Sequence, residues 1–215
     1  MRLLITASLL SSWEYYLNSQ DEAEDQALTD FFSSLRREPI NDNAAMQGGR
    51  AFETRVRMVA EPWYNPTENE EADLRDTRDD GTDERYISCV AEVADMVRGG
   101  CWQVKASKPV EIAGQEFMLY GRLDVLRGPW IHDIKFSHTF EAGKYRDAPQ
   151  TKMYLALIDG PEGMRYDVSD GNNVYVDEYR RRDVEPIENT VADFWSWINT
   201  QEEYLPIYLD KWRSL

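Results

Sequence analysis

Two neighbouring stretches, Tyr120-Gly121-Arg122-Leu123-Asp124-Val125-Leu126 and Ile131-His132-Asp133-Ile134-Lys135-Phe136, decide how this chain is read. Both alternate apolar and polar residues with a period of two, the mark of β-strands, and Arg127-Gly128-Pro129 between them supplies turn chemistry. Residues two apart on a strand share a face, so Asp133 and Lys135 point the same way while Ile134 points into the core. The turn folds the preceding strand back and brings Asp124 close to Asp133. Upstream, Trp102 to Ala106, Val110 to Ala113 and Glu116 to Leu126 read as further strands, with Ala113-Gly114-Gln115 as a tight turn. The expectation is an antiparallel meander.

Outside this meander the period changes to that of a helix. Leu9, Leu10, Trp13, Tyr16 and Leu17 predict an amphipathic helix over 8–17 with Ser8 as its N-cap, and Ala27 to Leu35 a second one. Turn-forming residues at 38–43 predict a loop. A long helix is expected over 44–60, an exposed acidic loop over 61–81, and a helix over 82–98 stopped by Gly99-Gly100. After the meander come a helix near 147–157 with Pro149 in its first turn, a hairpin of 164–168 and 174–179, and an aromatic helix near 191–215. The whole predicts one α/β domain over 1–215, a central mixed sheet flanked by helices on both sides.

The 215 residues are enough to bury a core without disulfides. Two cysteines, Cys89 and Cys101, cannot make a four-thiolate site and read as buried thiols of a reducing compartment. The opening Met1 to Leu10 has too short an apolar run for a signal peptide, and no stretch approaches the roughly 18 apolar residues of a membrane span. The expected location is cytoplasmic, with no membrane partner. With 24 Lys and Arg against 40 Asp and Glu, the formal charge is −16, which argues against a nucleic-acid partner because such affinity rests on cations that neutralise phosphates. Much of the acid sits at 21–25 and 68–84, away from the strands above.

Two carboxylates and an ammonium in one place suit metal-assisted phosphodiester hydrolysis. Carboxylate oxygens hold a hard divalent ion, and a lysine can position or deprotonate a water. Taken alone, Asp-x-Lys is more often an ordinary cross-strand ion pair. The order of motifs carries more weight. Gly121-Arg122-Leu123-Asp124, Asp133-Ile134-Lys135 and Gln150-Thr151-Lys152-Met153-Tyr154 follow one another as in the RecB-like branch of the PD-(D/E)XK nucleases, which the chain resembles over most of residues 1–180. Upstream, Gly49-Arg50-Ala51-Phe52-Glu53 matches the family's helix with a metal-binding glutamate, and Ile5 to Trp13 is similar to its serine-rich opening.

The resemblance implies a restriction-endonuclease-like core and a magnesium-dependent deoxyribonuclease, with manganese as a substitute ion. It implies an exonuclease of phage or recombination-repair context. Asp124, Asp133 and Lys135 would be catalytic. Glu53, Asp124, Asp133 and the carbonyl of Ile134 would hold the metal, and Gln150 and Tyr154 would hold the strand. DNA is the implied partner, with a helicase or recombination protein beside it, since no Gly-x-x-x-x-Gly-Lys-Ser/Thr motif is present. Two cysteines exclude the relatives' iron–sulfur cluster. Lys144, Tyr145 and the run Arg180-Arg181-Arg182 are further candidate phosphate contacts, His138 a weaker one, and the aromatics from Phe194 to Trp212 are either core or a base-stacking surface. Two other readings stay open: a nuclease-like domain that binds without cutting, favoured by the acidic charge, and a carboxylate metal enzyme acting on a small phosphoester.

Overall fold

The computed structural model describes residues 1–20, 23–39, 43–76 and 83–214. The expected acid at Asp21 and Glu22, the loop residues 40–42, and residues 77–82, where the acidic loop was to end and the next helix to start, lie outside them. In chain order the elements are β1 (Leu3–Thr6), α1 (Ala7–Asn18), α2 (Glu24–Arg36), α3 (Ala44–Ala60), α4 (Glu68–Asp76), α5 (Glu84–Val97), β2 (Cys101–Ile112), β3 (Gln115–Arg127) and β4 (Trp130–Phe136). Then follow α6 (Pro149–Leu157), β5 (Gly163–Ser169), β6 (Val174–Arg180), a 3₁₀ turn at Arg181–Asp183, α7 (Ile187–Ile198) and α8 (Tyr204–Lys211). The fold is α/β: a mixed six-stranded sheet with helices on both faces.

β3 organises the sheet. One of its edges pairs antiparallel with β2 from Gln115 to Leu126. The other edge is shared: β1 runs parallel to it at Phe117–Tyr120, and β4 antiparallel at Val125–Arg127. Between them the edge of β3 from Gly121 to Asp124 has no strand partner among the described residues, although β4 itself continues to Phe136, paired in parallel with β5. The sheet is therefore forked, and the fork opens at the Gly-Arg-Leu-Asp segment.

Two apolar cores fill the faces. Leu3, Leu119, Ile131, Met153, Tyr166, Phe194 and Tyr208 belong to the larger one, with α1, α6 and α7. Phe52, Val56, Val93, Val97, Val125 and Ile134 form the smaller one under α3 and α5. Leu123 belongs to the first and Val125 to the second, a change of side that a regular strand does not make over two residues. Gln103, which lies opposite Asp124 between the pairs Trp102↔Val125 and Val104↔Leu123, has φ 51. The ladder is distorted where the fork opens.

Several expectations need correction. The N-cap of α1 is Thr6, whose hydroxyl accepts the Leu9 amide; Ser8 lies one residue inside the helix and bonds the Thr6 hydroxyl. The acidic loop contains α4, because Thr67 and Glu70 make reciprocal cap bonds and Asp73 is buried against Arg50 at 2.7 Å. β2 is continuous through Pro109, which the unpaired outer edge tolerates. The aromatic C-terminal helix is two helices, α7 and α8, separated by residues 199–203. Cys89 is buried but Cys101 is exposed. Among the described residues no helix is long and apolar enough to cross a membrane.

Candidate active site

Each candidate side chain is placed by a different feature of the fork. Where β3 and β4 part, Asp124 replaces the missing strand contact: its Oδ2 accepts the Ile134 amide at 3.1 Å. Ile134 itself turns its side chain into the α3–α5 core. Asp133 is buried at 1% exposure, and the Lys135 Nζ lies 2.7 Å from its Oδ2. That ion pair falls short of an aligned hydrogen bond, so this buried oxygen keeps unmet acceptor capacity. α6 is the third wall. Gln150 donates to Asp133 Oδ1 at 2.7 Å and its carbonyl accepts from Lys135 at 3.3 Å. One turn on, the Tyr154 hydroxyl donates to the backbone carbonyl of Arg122 at 2.7 Å, satisfying a group the fork leaves without a strand.

Gly121 has a physical reason in this arrangement. A Cβ there would lie 2.8 Å from Leu157 Cδ1 and 2.9 Å from the Tyr154 ring, so only glycine lets α6 approach β3 this closely. Glu53 comes from α3 and stands at the margin, its Oε1 accepting from Gln103 at 2.5 Å. The φ of Gln103 aims that amide at Glu53, a role the strand pattern gave no sign of.

The electrostatics tie the acids together. Burial raises the Asp124 carboxyl well above its ordinary range, and the charges of Asp133 and Glu53 raise it further. Glu53 is likewise raised by burial and by Asp133, while Arg122 and Lys135 pull it down. Burial works to lower the Lys135 ammonium, but Asp133 and Asp124 outweigh it and hold the proton on. Tyr154 is pushed up to about 12 by burial.

A divalent cation suits this donor set: mutually repelling, partly buried carboxylates, with an oxygen on Asp133 whose acceptor capacity is unmet. Asp124, Asp133 and Glu53 supply side-chain oxygens and Ile134 a carbonyl. Among the described residues no three acidic, imidazole or thiol side chains already surround one point, and Glu53 is engaged by Gln103. Loading an ion therefore asks Glu53 or Lys135 to move.

Tyr145 is within electrostatic reach of Lys135 and Asp133, and the other candidates lie elsewhere. His132 points away from this centre and pairs with buried Asp167 at 2.7 Å, with Arg165 beside it. His138 is exposed against Phe136. Lys144 lies over the Tyr145 ring, which stacks on Tyr166. The arginine run is structural in large part: Arg181 donates to the carbonyls of Leu155, Ile158 and Pro161 at the end of α6, and Arg180 pairs with Glu162. Phe194, Tyr208 and Trp212 are core residues, and Trp197 and Tyr204 close the same aromatic cluster with Trp13 and Phe31.

No family model and no curated protein matches the chain. A solved structure described as the crystal structure of SSO0001 aligns with 94% of this chain and 78% of its own at 14% identity, with a TM-score of 0.48.

Proposed function

We propose that the chain is a metal-dependent nuclease that hydrolyses DNA phosphodiester bonds. The observation that carries this reading is the convergence, at an unpaired edge of the sheet, of Asp124, Asp133 and Lys135 with Gln150 and Tyr154. An ion pair within β4 made only for stability has no use for a second buried carboxylate whose ionisation its neighbours oppose. Sites that spend stability on such clusters are candidates for chemistry.

When bound, a magnesium or manganese ion would offset the carboxylate charge, polarise the phosphate and lower the pKa of a water. The protein's own residues do the rest. Lys135, whose ammonium Asp133 and Asp124 favour, orients a water or the phosphate by hydrogen bonding. Gln150 locks Asp133 and Lys135 in one geometry through both ends of its amide. Tyr154, a neutral hydroxyl across the working pH range, holds α6 to β3. An exonuclease acting in recombination, repair or phage DNA processing, beside a helicase or recombination protein in the cytoplasm, is the finer form of this proposal.

The test is cleavage of labelled DNA, linear and circular, single- and double-stranded, with magnesium, manganese or EDTA. Metal-dependent cutting lost in Asp133→Ala and in Lys135→Ala is the expected result, and digestion of linear DNA alone marks an exonuclease. A folded wild type that cuts nothing but still binds DNA favours the second reading, a non-cleaving binding domain, to which the charge of −16 lends support.

A further inference from the structure

At one point in the sheet β2 and β3 change sides together. Val104 and Leu123, a register pair, pack against the larger core, and the next pair, Trp102 and Val125, against the smaller one. Residues two apart on a regular strand share a face, so both strands are turned over between these pairs. The residues at the turn-over are Gln103 and Asp124. On β3 it is made without a left-handed residue. On β2 it is made at Gln103, whose φ of 51 lies in a region that residues with a Cβ seldom enter inside a strand.

A change of faces alone would be met with least strain by glycine. Glutamine carries the strain and puts its amide to use. Its Nε2 donates to Glu53 Oε1 at 2.5 Å, whereas no described residue donates to the other carboxylate oxygen, Oε2. An ionised carboxylate only accepts, so the amide N–H group faces Glu53 and the amide carbonyl is left over. That carbonyl oxygen, Gln103 Oε1, is buried with no hydrogen-bond partner among the described residues. Asp133 Oδ2 and Asp167 Oδ1 share this condition, but each has a cation, Lys135 at 2.7 Å and Arg165 at 3.3 Å. Gln103 Oε1 has neither donor nor cation among the described residues. A strained backbone and an orphaned acceptor in one residue, beside a carboxylate cluster, point to a function for its side chain.

We infer that Gln103 is a positioning residue of the metal centre: its N–H group holds Glu53 by one oxygen and leaves Oε2 for the ion, and its carbonyl accepts from a water that the ion carries. The inference rests on the metal-dependent part of the proposed function. It adds how Glu53, which comes from a separate helix, is turned toward Asp124 and Asp133. The three carboxylates oppose one another's ionisation, so a Glu53 without a donor on it would swing away from the other two. Magnesium retains part of its water shell, and one such water supplies the donor that the orphaned carbonyl lacks. Partners of this kind, which touch a ligand and not the ion, set metal affinity by fixing the ligand's orientation.

The experiment titrates the metal-free protein with manganese alone, in the absence of DNA, and reads the free ion by electron paramagnetic resonance. Wild type is compared with Gln103→Leu and Gln103→Gly, each also in a Glu53→Gln background, and melting in EDTA shows that each is folded. Gln103→Gly accepts a φ of 51 without strain, so it removes the amide even where leucine does not fit. With Glu53 in place, both variants are expected to bind manganese about 10–100-fold more weakly than wild type. In the Glu53→Gln background the same changes should weaken binding only a few fold, the part that belongs to the carbonyl.

If the folded Gln103 variants bind manganese as tightly as wild type, the inference is overturned and the residue is only a feature of the strand. A loss of the same size in the Glu53→Gln background also overturns it, since Gln103 then does not act through Glu53. No loss at all in that background overturns the contact with a metal-bound water. A wild type that binds no manganese overturns the metal-dependent reading and this inference together. A wild type that binds it in the expected pattern but cuts no DNA overturns the nuclease and leaves Gln103 its role.

Discussion

Replacing Gly121 with alanine should damage stability and activity through one contact. The added Cβ would stand 2.8 Å from Leu157 Cδ1 and 2.9 and 3.2 Å from two atoms of the Tyr154 ring. Carbon atoms prefer about 3.5 Å or more, so α6 must retreat by roughly 0.7 Å or the Tyr154 ring must leave its rotamer. Overpacking of this kind costs about 1–3 kcal/mol, which in a domain of this size lowers the melting temperature by roughly 2–12 °C. The same retreat lengthens the Tyr154–Arg122 bond and moves Gln150 off Asp133, both of which stand at 2.7 Å. A misplacement near 1 Å at a reacting centre can cost about a hundredfold in rate, so a loss of tenfold or more in DNA cleavage is expected. Gly49→Ala is the control. Nothing lies within 4 Å of the new methyl, and in the interior of α3 it should stabilise by about 0.8–1 kcal/mol. If Gly121→Ala melts and cuts like the wild type while Gly49→Ala shows its gain, the idea that this glycine sets the α6–β3 distance is wrong.

Other expectations concern the charges. Asp124→Asn should stabilise the metal-free protein at neutral pH, because burial first, then Asp133 and Glu53, raise the folded carboxyl above its ordinary value of 3.8. The stabilising part of that titration is present below pH 3.8 and is lost as pH rises through the folded value, so the variant's advantage should grow from about pH 4 upward; thermal melts in EDTA with no gain at pH 7.5 would refute it. Magnesium at 100 times its dissociation constant should add about 2.7 kcal/mol to the wild type and much less to Asp133→Asn, and calorimetric melts with equal gains in both would remove Asp133 from the ion's ligands. Arg181→Ala should cost about 1–3 kcal/mol in urea denaturation by uncapping α6, whereas Arg182→Ala, whose side chain is 81% exposed, should stay within about 0.5 kcal/mol. Equal effects would return the arginine run to the list of surface contacts.

The legible parts of this protein were those with a local code. The long helix over 44–60 was readable from apolar spacing and appears as α3 with those bounds, capped by Asn43. β4 and the hairpin of β5 and β6 followed from alternation and turn residues. Helix α4 was missed because its surface is nearly all charged and its one buried side chain among the described residues, Asp73, is held by Arg50 from another helix. The break between α7 and α8 was missed because aromatic residues continue across it, packing in one cluster from two helices. The arginine run looked like a binding patch since sequence does not reveal that the end of α6 returns beside it.

By itself the sequence determined that Asp133 and Lys135 share a strand face, that Gln150 and Tyr154 share a helix face, and that Asp124 and Asp133 can meet across a turn. Those relations are set by periods of two and 3.6 and by a tight loop, all within a few residues. Only the tertiary structure decided that β1 and β4 divide one edge of β3 and leave Gly121 to Asp124 open between them. Sheet order is a contest among distant segments to bury apolar faces, and nothing in the local spacing records its outcome. That same order placed Gln103 on Glu53 and closed α6 over the carboxylates.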